Sequence, residues 1–116
     1  MAFSKRDADV LTHILSYCEE IEPAVARFGN TFEDYAKDSM YRNATAMCIL
    51  QIGELAGVLS EKFKKDHADV PWREIKDMRN MAAHAYGKMS AEILWETITM
   101  DIPELKTYCK NLIHNE

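Results

Sequence analysis

A chain of 116 residues, 47% hydrophobic and with a net charge of −5, is sized for one domain around one core, spanning residues 1–116. The hydrophobic share argues against intrinsic disorder, and no apolar run reaches the roughly 18 residues that a membrane span needs. The acidic balance argues against indiscriminate nucleic-acid binding, and four glycines and three prolines leave a composition that favours helices over strands.

Ser4, with Asp7 three residues on, has the pattern of a capping box. Val10, Ile14, Cys18, Ile21, Val25 and Phe28 then recur at steps of three and four, one apolar stripe on a long helix. Pro23 falls inside it and predicts a kink, because the stripe keeps phase beyond it. Gly29-Asn30 ends the helix. Thr31 and Asp34 form a second capping pair and open a short helix from Phe32 to about Lys37. A further long helix is predicted from about residue 40 to 65, apolar on nearly every side over residues 47–59. Within it Gly53 and Gly57, four apart, leave a face low enough for another helix to approach closely. Gln51 and Glu54 make a narrow polar line, either a solvated seam or a feature beside a site or a dimer contact.

Pro71 suits a first helical turn, and Trp72, Ile75, Met78, Ala82 and Ala85 give the next stripe before Gly87 stops it. Ser90 caps a last helix along Leu94, Ile98, Ile102, Leu105, Cys109 and Leu112, with a kink expected at Pro103. The expectation is an all-α fold, an antiparallel bundle of four long helices plus one short helix, with no internal repeat.

The N-terminus shows no apolar stretch behind its early charges, so no secretory signal is expected and the chain is assigned to the cytoplasm. Cys18, Cys48 and Cys109 are far apart and fit buried, reduced thiols. Neither Cys-x-x-Cys nor His-x-x-x-His occurs, so no metal site and no cofactor are expected. His13, His67 and His114 read as ordinary surface or packing residues.

The stretch Arg79-Asn80-Met81-Ala82-Ala83-His84-Ala85-Tyr86 gathers the residue types for chemistry on a phosphodiester. A guanidinium keeps its charge and presents a planar donor fork, an imidazole exchanges protons near neutral pH, and a tyrosine offers a hydroxyl. Its surroundings are the most basic of the chain. Residues 71–90 carry four basic and two acidic side chains, whereas residues 1–40 carry four basic and eight acidic ones. On an ideal helix Asn80 and His84 lie opposite the core face, Asp77 joins them, and Arg79 sits on the flank about 140° from His84. That face is either a solvated polar stripe or one that meets a substrate or a second protomer.

Arg-Asn-x-x-x-His-x-Tyr resembles the Arg-x4–6-His signature of the HEPN ribonucleases, and more closely the Arg-x4-His-x-Tyr form of HepT-like (DUF86) toxins. Ile52-Gly53-Glu54-Leu55-Ala56 is similar to the family's Ile-Gly-Glu-Ala segment, and residues 70–75 resemble its Pro-x-x-Trp-x-x-Ile lead-in. Trp95 and Ile102-Pro103-Glu104-Leu105 resemble its tail, so the likeness covers roughly residues 44–106 in order. One departure is Ala85, where the family has Gly. The resemblance implies a HEPN-like fold and a metal-independent endoribonuclease acting on RNA across a homodimer. Arg79, Asn80 and His84 would be its catalytic residues. It also implies an MntA-like nucleotidyltransferase antitoxin that transfers AMP to Tyr86. Two alternatives stand beside this: a non-catalytic HEPN binding partner of a nucleotidyltransferase, and a plain helical dimer.

Overall fold

The computed structural model describes residues 3–83 and 91–114, and among them it is all-α with no strand. The helices are α1 (Lys5–Phe28), α2 (Phe32–Lys37), α3 (Ser39–Val58), α4 (Glu61–Asp66), α5 (Trp72–Ala83), α6 (Ala91–Glu96) and α7 (Ile102–His114). A π-helical segment, Thr97–Asp101, joins α6 to α7. Helix α3 packs against both α1 and α5, and α7 packs against α1. None of these helices is long and apolar enough to cross a membrane.

The local signals read from the sequence produce most of these boundaries. The Ser4 hydroxyl accepts from the Asp7 amide, and Thr31 accepts from Asp34 in the same way at the start of α2. Helix α1 runs through Pro23 and ends where Gly29 adopts φ 120°, a left-handed conformation that favours glycine. All six residues of the α1 stripe are buried or half-buried, with Leu11 added to the core beside them.

Two expected helices are interrupted. The one predicted over residues 40–65 stops at Val58 and restarts as α4, with Ser60 as N-cap to Phe63. The cause lies 53 residues upstream: Asp7 accepts from the Ser60 amide at 2.9 Å and from its hydroxyl at 2.7 Å. With the Ser60 amide taken by a side chain, the α3 ladder cannot continue. The last helix is widened ahead of Pro103, whose ring nitrogen has no hydrogen for the carbonyl one turn back. There the Ile102 amide bonds to the Thr97 carbonyl, five residues back. The Thr97 and Thr99 hydroxyls donate to Ile93 and Trp95 carbonyls at 2.9 and 2.8 Å.

The core carries an aromatic group at each end. Tyr35 and Tyr41 pack edge-to-face at 4.8 Å, next to Phe28 and Trp95. Their hydroxyls are satisfied by Thr45 and by the Gly29 carbonyl. At the other end Phe63 lies among Phe3, His67 and Trp72. Cys18 and Cys109 are buried, and burial pushes both thiols up to about 12. Cys48 is half-buried and is pushed up to about 11 by burial and the neighbouring Glu20. All three are free, as buried thiols without a nucleophilic task would be.

Asp7 is itself buried. Burial works against its charge, but hydrogen bonds from the Ser60 hydroxyl and amide and from Ser4 outweigh it, leaving the carboxyl below its ordinary value of 3.8. The folded state therefore gains stability from the ionised form above that value and loses it as pH falls below it. Asp7→Ala is expected to cost about 1–3 kcal/mol at pH 7, the penalty for stranding buried donors. Urea midpoints should converge with wild type as pH drops below 4, and a pH-independent gap would refute the charge contribution.

Candidate functional site

The site grows from the way α5 is started. Trp72 is buried, and its indole N–H donates to the His67 carbonyl at 3.0 Å, while the Ile75 amide bonds back to Pro71. The Tyr108 hydroxyl on α7 donates to Asp69 at 2.7 Å, tying down the turn that leads into the helix. From this fixed start Ile75 and Ala82 are buried and Met78 is half-buried, facing the core in the sequence-predicted phase. Asp77, Arg79 and Asn80 are exposed. Ala85 and Gly87, read as the end of the stripe and its stop, and the Ser90 cap lie outside the described residues, as do His84 and Tyr86.

Arg79 sits where α3 and α5 approach closely. A Cβ placed on Gly53 would stand 2.7 Å from the Arg79 Cβ and 2.8 Å from its backbone nitrogen, so only glycine fits there. The next residue on α3, Glu54, forms an ion pair with the Arg79 Nε. At the other end of the guanidinium, Nη1 donates to the Asn80 side-chain oxygen at 3.3 Å. Arg79 and Asn80 are thus brought together, with the Asn80 side-chain oxygen accepting from Arg79. Both partners of the ion pair are half-exposed, 50% and 48%, so it adds little to stability. What it does is hold the guanidinium plane in one direction.

Glu54 is the member of this group whose role the sequence left open. Its signal was its position next to Gly53, but nothing in the primary structure says that Arg79, 25 residues on, lies opposite. Gln51, the other residue of that polar line, is half-buried with its amide nitrogen 3.9 Å from the Met47 sulfur. The second glycine of the pair also receives a cation: the aliphatic stem of Lys76 lies over Gly57, 3.5 Å from where a Cβ would stand. Among the described residues no group of His, Cys, Asp and Glu side chains is arranged to hold a metal ion.

An all-helical bundle that displays an arginine–asparagine pair on the exposed side of one helix, just ahead of the His84 position, falls within the class of HEPN-type helical proteins. The chain belongs to the Ribonuclease HepT-like family, whose model matches residues 14–112. It is similar to a protein of Caldanaerobacter subterraneus subsp. tengcongensis named "Putative RNase", 38% identical over 106 residues that cover 91% of this chain and 93% of that one. It is also similar to the "Probable ribonuclease HepT" of Thermococcus cleftensis, 37% identical over 75 residues, 65% of this chain and 68% of the relative. No solved structure matches the chain.

The two glycines predict opposite outcomes. Gly53→Ala gains up to about 1 kcal/mol of helix propensity. It also forces a methyl into the α5 backbone, and overpacking of that kind costs about 1–3 kcal/mol, so the variant should be less stable than wild type. Gly57→Ala meets only the flexible Lys76 stem at ordinary contact distance and should be more stable by about 0.5–1 kcal/mol. Equal urea midpoints for the two variants would show that the helices do not approach this closely.

Proposed function

We propose that this chain is a metal-independent endoribonuclease toxin of a HEPN/nucleotidyltransferase toxin–antitoxin pair. Its site would be completed by a second copy of the chain. The observation that carries the reading is the Arg79 guanidinium, held on the protein surface by the Gly53 seat, Glu54 and Asn80, with its Nη2 unpaired among the described residues. A planar donor held in advance towards solvent suits the charge that develops on the non-bridging oxygens of a phosphodiester under attack.

In the proposed reaction the 2′-hydroxyl of the RNA attacks the adjacent phosphorus. The new O2′–P bond forms as the P–O5′ bond breaks, leaving a 2′,3′-cyclic phosphate and a 5′-hydroxyl. His84 takes the proton from the 2′-hydroxyl or returns one to the departing O5′. Arg79 stabilises the phosphoryl oxygens, and Asn80 keeps Arg79 in register or binds a phosphate oxygen. One helix does not surround a scissile phosphate, because on an ideal helix Arg79 and His84 would lie about 140° apart. A second α5 facing the first across a homodimer supplies the missing side. The antitoxin, a nucleotidyltransferase, would silence the site by joining the Tyr86 oxygen to the α-phosphorus of ATP with release of pyrophosphate. The added phosphate would lie beside Arg79 and His84 and repel RNA.

A second reading is a non-catalytic HEPN module that binds a nucleotidyltransferase. The Glu54–Arg79 ion pair favours it, since a carboxylate on the guanidinium competes with phosphate.

RNA incubated with the purified chain in EDTA decides between the two. Cleavage yielding 2′,3′-cyclic ends is expected, with Arg79→Ala and His84→Ala each lowering the rate by about 100-fold or more. Intact RNA in all three reactions, with Tyr86 unmodified by mass, would establish the non-catalytic module. Co-expression with the partner nucleotidyltransferase should add the mass of one adenylate, abolished by Tyr86→Phe. Silencing without that mass would mean that the partner acts by simple occlusion.

A further inference from the structure

Beside the Arg79 seat, α5 and the α3–α4 corner enclose a groove of about 370 Å³. Its floor is Ala56, Val70 and Trp72, and its walls carry Lys64, Arg73 and Lys76, with Glu61 the one carboxylate among its lining residues. That carboxylate is engaged, since Glu61 pairs with Lys64 at 3.2 Å. Arg73 and Lys76 are exposed, and among the described residues neither has an anionic partner. In a chain with a net charge of −5, this groove is lined by three basic side chains and one acidic one.

Their placement is set by the helices. On α5, Arg73, Lys76 and Asn80 fall within about 60° of each other at 100° per residue, with Arg79 on the α3 side of that line. The glycines of α3 are spaced to match: Gly53 lies under Arg79 and Gly57 under Lys76. The Lys76 stem lies against α3 at Gly57, with Cε 3.5 Å from where a Cβ would stand. A strand laid along the seam between the two helices would pass Arg73, then Lys76, and reach Arg79 about 9 Å along the axis from Arg73.

From this geometry we infer that the groove is the track for the RNA backbone leading to Arg79. Arg73 and Lys76 each bind a phosphate and take no part in the chemistry. The inference rests on the ribonuclease reading above and adds to it the residues that hold the substrate. Phosphate is the ligand these groups fit, because the recognition is by charge on a shallow and largely apolar floor. Trp72 is buried and offers no face for base stacking, so the track reads no sequence.

The test uses the full chain, the double variant Arg73→Ala/Lys76→Ala, and a charge-matched control, Lys37→Ala/Lys110→Ala, whose exposed lysines lie on α2 and α7 outside the groove. Binding of fully 2′-O-methylated single-stranded RNA, which cannot be cut, is measured against salt, and cleavage of ordinary RNA is followed in parallel. Each lost phosphate contact should weaken binding about fivefold at 0.1 M salt and lower the log–log salt slope by about 0.7. The double variant should therefore show a slope smaller by about 1.4 and a raised KM, with kcat at saturating RNA within about twofold of wild type. The control should match wild type. Wild type that cuts RNA beside a double variant with unchanged slope and KM would overturn the track and leave the ribonuclease intact. An equal loss in the control would assign the effect to net charge and overturn it too. A fall in kcat alone would place Arg73 or Lys76 at the reacting atoms, again against the inference. Wild type that neither binds nor cuts RNA removes the ribonuclease reading and the track together.

Discussion

The contact between Gly53 and the backbone of Arg79 is the constraint on which the arrangement of the site depends. Helix pairs usually keep their axes about 8–10 Å apart because side chains stand between them. At this point α3 has no side chain to interpose, and α5 comes down onto it until even one methyl would collide with backbone. Arg79 thus starts from a point fixed by two helices rather than from a freely placed helix surface. A long side chain that starts from a fixed base has fewer directions to explore, and Glu54, one residue beyond the contact, removes most of those that remain. The ion pair is too exposed to matter much for folding. Its effect is on where a charge points.

The rest of the fold serves to make that contact reproducible. Helix α5 is pinned at its start by Trp72 and at its middle by Gly53, so its rotation about its own axis is set twice. Helix α3 in turn is held from the far side by α1. The Asp7–Ser60 hydrogen bonds then fix where α3 ends and α4 turns away, and that corner opens the groove beside α5. A buried carboxylate from the first turn of the chain therefore shapes the rim of a surface more than 50 residues later.

Features governed by neighbours in sequence were legible in advance, and those governed by distant partners were not. The Ser4 and Thr31 caps, the Gly29 stop and the core stripes of α1 and α5 all follow from spacing over a few residues. Even the close approach at Gly53 was readable as a capacity, because a helical surface without side chains invites a neighbour. What could not be read was which neighbour came, and so neither Arg79 on Glu54 nor Lys76 on Gly57 was foreseen. Ser60 shows the same limit from the other side. Its sequence context is that of a continuing helix, and a carboxylate from α1 overrides it by claiming its amide. Asp7 is half of the local cap that the spacing predicts and also the centre of a long-range network.

Glu54 on Arg79 invites the objection that a neutralised arginine is a poor partner for phosphate. The hydrogen-bond geometry answers it. A guanidinium offers two forked edges, and Glu54 takes only the Nε position, while Asn80 takes one hydrogen of Nη1. Among the described residues Nη1 keeps a second hydrogen and Nη2 has no partner, so both nitrogens remain for a phosphate. The carboxylate does lower the local potential, and in an acidic chain that would matter if Arg79 had to capture the strand alone. Lys76 and Arg73, about one and two turns earlier on α5, carry the charge for capture, and among the described residues neither has an anionic partner that would cancel it. Attraction and alignment are then divided between different cations, and only the second task needs the guanidinium to be held still.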